Sequence, residues 1–183
     1  MENNLNFPAL EKNLIALVQE FQVKLGDSRD AIGLYYPLES LNRLLDAELD
    51  AAGMAAALRA FSGYALAALG EVTPTDEGGM FCLRVPAEGV ALVRANGPDT
   101  GFLKDFIGKI TQHGLDIDDL LAVFRKYSEN VVCERIGGEF DYLVYFADGR
   151  PDDFRYCIKF EGPHAIYHRF TPKDYDAMGF ERA

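Results

Sequence analysis

No stretch of this 183-residue sequence approaches the roughly 18 consecutive apolar residues that a membrane span needs. The start, MENNLNFPALEKN, lacks the basic and apolar regions of a secretory signal, so the cytoplasm is the expected location. Positive charge is scarce. Eighteen Lys and Arg stand against 29 Asp and Glu, for a formal net charge of −11. That imbalance opposes binding of nucleic acid or an anionic membrane by the surface as a whole, while leaving room for a local basic face. There are only three cysteines, Cys82, Cys133 and Cys157, far apart in apolar runs. An odd number without close spacing argues against both a disulfide framework and a zinc motif, and favours small buried side chains. The dinucleotide, P-loop, zinc-protease and nucleophile-elbow signatures are all missing. His113, His164 and His168 show no metal-ligand spacing, and no metal or cofactor is expected. The segment DGRPDD from Asp148 carries carboxylates without the ligand order of a calcium loop, and reads as a turn.

Helical patterning fills most of the first two thirds. FPALEKNLIALVQEFQVKLGD places Leu10, Leu14, Leu17, Phe21 and Leu25 on one stripe, with Pro8 in the first turn and Gly26 at the end. A short extended piece, Ile32 to Tyr36, leads through Pro37 into a leucine stripe at Leu38, Leu41, Leu44 and Leu45. Tyr35 and Tyr36 must point in opposite directions if this piece is extended, so at most one is buried. The alanine-rich segment after Asp50 presents Met54, Leu58 and Phe61 on one face, with Gly63 as its expected end. Ala65–Thr73 is open between strand and helix; as a strand it pairs with Met80–Val85 in a hairpin. Three more helices follow, in PAEGVALVRANG, GFLKDFIGKITQH and DIDDLLAVFRKYS. Asp116 caps the last of them, and its neighbours Asp118 and Asp119 suit the first turn.

From Val131 the character changes. Nine of the chain's 22 Phe and Tyr residues fall between Val131 and Pro172, under a quarter of its length, and they alternate with period two. Four strands are expected: NVVCERI, EFDYLVYF, FRYCIKF and AIYHRF, joined as an antiparallel meander. TPKDYDAMGF closes it as a short helix capped by Thr171. The fold class is α+β, with N-terminal and central helices packed on a C-terminal meander of about four strands and an extra hairpin. Residues 1–183 form one domain, mainly helical to 128 and mainly strand beyond.

Strand parity then assigns faces. Bringing Phe140, Tyr142, Val144 and Phe146 into one core with Phe154, Tyr156, Ile158 and Phe160 sets Phe146 opposite Phe154. Turning Ile166 and Phe170 to that core requires a three-residue loop, Gly162-Pro163-His164, and puts His168 opposite Ile158. The other face would carry Tyr145, Arg155, Lys159, Tyr167 and Arg169, with Leu143 and Cys157. Cations and tyrosines on one face suit an anionic small molecule or an acidic protein partner. The bland alternatives are a solvated outer face, or one covered by helices with its charges paired. Cys157 and His168 sit on adjacent strands as a conceivable thiolate pair, but this register separates them.

LYYPLESLN, LAVFRKYSENVVCE, FDYLVYFADGRPDDFRYCIKF and IYHRFTPKDYDAMGF together resemble an uncharacterised bacterial domain-of-unknown-function family from gut Firmicutes, number 3877 of that series. The resemblance spans nearly the whole chain. It implies a bacterial, cytoplasmic, single-domain protein, and brings no activity and no catalytic residues. The expected function is therefore a non-enzymatic binding or interaction module using the cationic, tyrosine-bearing face. The alternative is a small hydrolase or transferase built around His168, Tyr156 and nearby carboxylates. Edge strands at Val131–Ile136 or Ala165–Phe170 leave pairing between subunits open.

Overall fold

Asn6 begins the first helix by accepting a hydrogen bond from the Ala9 amide at 3.2 Å, and α1 (Phe7–Leu25) runs to Gly26. The computed structural model describes residues 5–26 and 30–180. These fall into two units, Met1–Pro98 and Asp99–Ala183.

In the first unit, Leu10 and Leu14 are buried as their spacing predicts, but the stripe does not continue to the end of α1. Phe21 is 39 % and Leu25 68 % exposed, and Val18 and Gln19 are buried instead. The row shifts because Gln19 donates to the Pro98 carbonyl at 2.7 Å and Gln22 to the Val90 carbonyl at 2.8 Å, turning that side of the helix inward. Strand β1 (Ile32–Pro37) alternates, with Leu34 and Tyr36 buried and Gly33 and Tyr35 exposed. Helix α2 (Leu38–Leu45) buries Leu41, Leu44 and Leu45. Helix α3 (Ala51–Tyr64) starts at Asp50, which caps the Gly53 amide, and it passes through Gly63 rather than ending there. Met54, Leu58 and Phe61 are fully buried on its inner face.

The hairpin expected from Ala65 is displaced. Leu66–Leu69 forms a single turn, α4, because the alanine-rich segment keeps helical geometry until Gly70. Strand β2 is Thr73–Asp76 and pairs with β3 (Met80–Val85), whose other edge pairs antiparallel with β1, giving a three-stranded sheet ordered β1-β3-β2. Helix α5 (Ala87–Asn96) approaches α4 so closely that a Cβ on Gly89 would lie 1.8 Å from the Leu69 carbonyl oxygen. Only glycine permits that contact.

The second unit starts with two helices, α6 (Gly101–Ile110) and α7 (Ile117–Tyr127). Asp116 and Asp119 form a reciprocal capping box at the start of α7. The meander follows as β4 (Val131–Arg135), β5 (Tyr142–Phe146), β6 (Arg155–Glu161) and β7 (His164–Phe170), hydrogen-bonded in that order. Helix α8 (Pro172–Met178), capped by Thr171, is the last element. The fold class is α+β, as expected.

One face of this sheet meets α6 and α7 through aromatic rings. Phe102 lies against Phe146 at 4.9 Å between ring centroids, Phe124 against Tyr156 at 5.2 Å, and Phe106 against Tyr156 at 5.0 Å and Tyr167 at 4.9 Å. On the far face, Ile136, Phe140, Leu143 and Cys157 pack with Tyr145, Phe170, and Tyr175 and Phe180 from the α8 segment.

Candidate functional site

The β5–β6 register follows the expected parity from Tyr142 on, but Phe140, ahead of β5, packs in the far-face cluster instead of the expected core. Val144 opposes Tyr156 and Tyr142 opposes Ile158, which in continuation sets Phe146 level with Phe154. The β6–β7 register does not. Glu161 pairs with His164, so the turn is Gly162-Pro163 alone, one residue shorter than expected. Gly162 has φ 60° and the Pro163 ring holds its own φ negative, which is the type II′ geometry of a two-residue hairpin. A one-residue slip moves every side chain of β7 to the opposite face.

The shorter turn divides the expected five-residue face. Tyr145, Arg155 and Lys159 remain together on the far side, while Tyr167 and Arg169 lie on the helix-covered side, level with Ile158 and Tyr156. His168 opposes Cys157 rather than Ile158. The three residues left together are also engaged. Arg155 sits 4.1 Å over the Tyr145 ring and donates to the Asp153 carbonyl, and Lys159 pairs with Glu161 at 2.9 Å.

Tyr156 and His168, the secondary candidates, end on opposite faces and do not converge. His168 stacks on Phe170 and meets Phe140 edge-on at 5.6 Å. Cys157 shares its face with His168, but burial pushes its thiol up to about 12, so a neutral, inert thiol is the stable form. The register thus restores the cysteine–histidine juxtaposition, and burial removes its chemistry.

Tyr156 belongs to a different group, one that sequence reasoning missed. Its hydroxyl donates to Asp152 at 2.7 Å and accepts from Arg169, whose guanidinium also lies 4.4 Å over the Phe154 ring. Burial raises the Asp152 carboxyl above its ordinary range, and the Tyr156 hydrogen bond and the Arg169 charge pull it back. Tyr156 is fully buried. The carboxylate, phenol and guanidinium therefore form a polar chain whose centre, the phenol, is buried and whose two ends, Asp152 and Arg169, are half-buried. Its signal in the sequence is Asp152, in the carboxylate-rich turn, four residues before Tyr156.

An accessible concavity lies elsewhere in this unit. The outward side of the α6–α7 pair holds an open groove of about 510 Å³ between Lys104, Asp105 and Lys109 of α6, Gln112 just beyond its end, and Asp119, Val123 and Lys126 of α7. Three lysines and two aspartates face it. Asp105 accepts from Lys126 at 2.5 Å and from the Tyr127 hydroxyl at 2.7 Å, and these bonds hold its carboxyl below the ordinary range. Asp119 is lowered in the same way, first by Lys109 at 3.0 Å and then by the Asp116 amide of the capping box. Lys104 is exposed and forms no ion pair among the described residues. The groove thus has a frame of two ion pairs between α6 and the capped helix α7, and one uncommitted cation.

The comparison with family models decides the relationship. The model described as "Domain of unknown function, E. rectale Gene description (DUF3877)" matches residues 7–179. The chain belongs to the DUF3877 family. The match runs from the first turn of α1 to the end of α8, so the family's span takes in most of both units of this DUF3877 chain. No curated protein and no solved structure matches it. No helix of its described residues is long and apolar enough to cross a membrane.

Proposed function

We propose that this chain is a non-enzymatic binding module that takes a small anionic ligand in the lysine-lined groove between α6 and α7. The observation that carries this reading is Lys104, an exposed cation without an ion pair beside two lysines already fixed by aspartates. A volume of about 510 Å³ lies within the range of small-ligand sites. Gly108, Ala122 and Val123 supply a small, apolar part of the lining, and Gln112 adds an amide that can donate or accept. An anionic group entering here meets Lys104 first and then competes with Asp105 and Asp119 for the other two ammonium groups. The groove replaces the sheet face as the anion site because the β6–β7 turn divides that face.

The test is a thermal-shift screen of dicarboxylates, sugar phosphates and nucleotides on the full chain, repeated with Lys104→Glu. That substitution reverses a charge and breaks no ion pair. A compound that stabilises the natural chain at low salt, less so at high salt, and not the variant, supports the groove. Equal stabilisation of both proteins by the same compound, or no response across the panel, refutes it.

A further inference from the structure

His113 and His164 are 51 positions apart in sequence, yet their ring centroids lie 4.6 Å apart with the ring planes 86° to one another. His113 follows the C-terminal turn of α6, and His164 is the first residue of β7. The two segments are tied at the backbone, where the Gly114 amide donates to the Pro163 carbonyl at 2.8 Å. Both imidazoles are exposed, so an ion can reach them from solvent.

We propose that His113 and His164 form a two-histidine site for a divalent first-row transition metal ion. An imidazole nitrogen lies about 1.1 Å from its ring centre and binds such an ion at about 2.1 Å, so two rings sharing one ion hold centroids about 4.5 Å apart at a right angle and about 5.2 Å apart at the tetrahedral angle. The spacing of this pair falls in that range before any metal is added. The backbone tie also means that much of the entropy cost of bringing the two ligands together is already met by the fold. Among the described residues no group of three or more His, Cys, Asp or Glu converges, so the protein supplies two ligands and leaves the other positions to water or an outside ligand. Neutral nitrogen donors favour Cu(II) over Zn(II) and Ni(II). The histidine spacing in sequence hid this pair because the β6–β7 turn, not a helix or a short motif, brings His164 to the end of α6.

The experiment is calorimetric titration of the full chain with Zn(II) and, separately, Cu(II), in a Cys133→Ser background that removes the exposed thiol. One saturable equivalent is expected. His113→Ala and His164→Ala should each weaken it at least about tenfold, and His168→Ala should not. Electron paramagnetic resonance of the Cu(II) form supplies a readout that needs no variant to fold, and should show nitrogen couplings from two imidazoles. The proposal is overturned by absence of saturable binding, by undiminished binding in the double His113→Ala, His164→Ala variant, or by a spectrum with fewer than two imidazole nitrogens.

Discussion

Replacing Tyr156 by Phe tests the polar chain with almost no change of shape. The phenol is fully buried, and its hydroxyl donates to Asp152 at 2.7 Å. A hydrogen bond to a charged group contributes about 1.5–3 kcal/mol, and one to a neutral group about 0.5–1.5 kcal/mol. The loss at neutral pH should therefore be about 2–3 kcal/mol, and it should shrink as Asp152 takes up a proton. The direction follows from linkage. Burial raises the native Asp152 carboxyl above its unfolded value of about 3.9. Between those two values the native state holds a proton that the unfolded state has lost, so the contribution of this group to stability falls as pH rises through the window. Removing the Tyr156 donor raises the native value further and extends the window upward. Urea unfolding from pH 4 to 8 should thus show the Tyr156→Phe penalty growing with pH. In an Asp152→Asn background the penalty should lose its pH dependence, and the double-mutant cycle should give a coupling of at least about 1 kcal/mol at pH 7. A penalty that does not vary with pH, or a coupling near zero, would refute the assignment of Asp152 as an ionised acceptor of the Tyr156 hydroxyl.

Three other outcomes are expected. Gly89→Ala sets a methyl 1.8 Å from the Leu69 carbonyl oxygen, so α4 and α5 must separate; the cost should exceed the 1–3 kcal/mol range of ordinary overpacking and appear as a lowered urea midpoint, whereas Gly63→Ala, with open space around its Cβ, should not destabilise. Tyr36→Phe removes the buried hydrogen bond to Asn13 at 2.7 Å and should cost about 1–3 kcal/mol, while removing the hydroxyl of the exposed Tyr35 should cost under about 0.5 kcal/mol; equal losses in denaturant titration would contradict the strand alternation. Maleimide labelling of the native protein should modify Cys133 first, and should reach Cys82 and Cys157 only on unfolding; early modification of Cys157 would contradict its burial and its raised thiol.

The elements were legible where a local pattern and a chemical boundary agreed. Asp116 announced α7 because a carboxylate at the cap and another three residues on satisfy amides of the same turn. The four strands showed because aromatic alternation at period two has few other solutions. Tyr35 and Tyr36 separated as parity required, one outward and one onto Asn13. Tertiary packing erased the weaker local signals. Phe21 and Leu25 continue the stripe of α1 in sequence, yet Gln19 and Gln22, with distant carbonyl partners, decide which side of the helix turns inward.

The candidate site was less legible because it rested on one loop length. Ile166 and Phe170 are apolar, and assigning both to the main core forced a three-residue turn. Gly162-Pro163 carried the contrary information. A glycine able to take positive φ, followed by a residue with fixed negative φ, is what a two-residue type II′ hairpin requires. With that turn, Phe170 is not wasted on solvent but packs with Phe140 and the α8 segment in a second, smaller cluster. Tyr167 then joins Phe106 and Tyr156 beneath α6, and Arg169 reaches Tyr156. The assumption of one hydrophobic core, rather than any single residue, misplaced the cations. A sheet with apolar clusters on both faces keeps only part of one face in solvent, around Ile166 and His168, and cannot carry a full row of arginines and lysines there. The accessible positive charge of this unit is therefore sought on its helices, where Lys104, Lys109 and Lys126 surround an open groove.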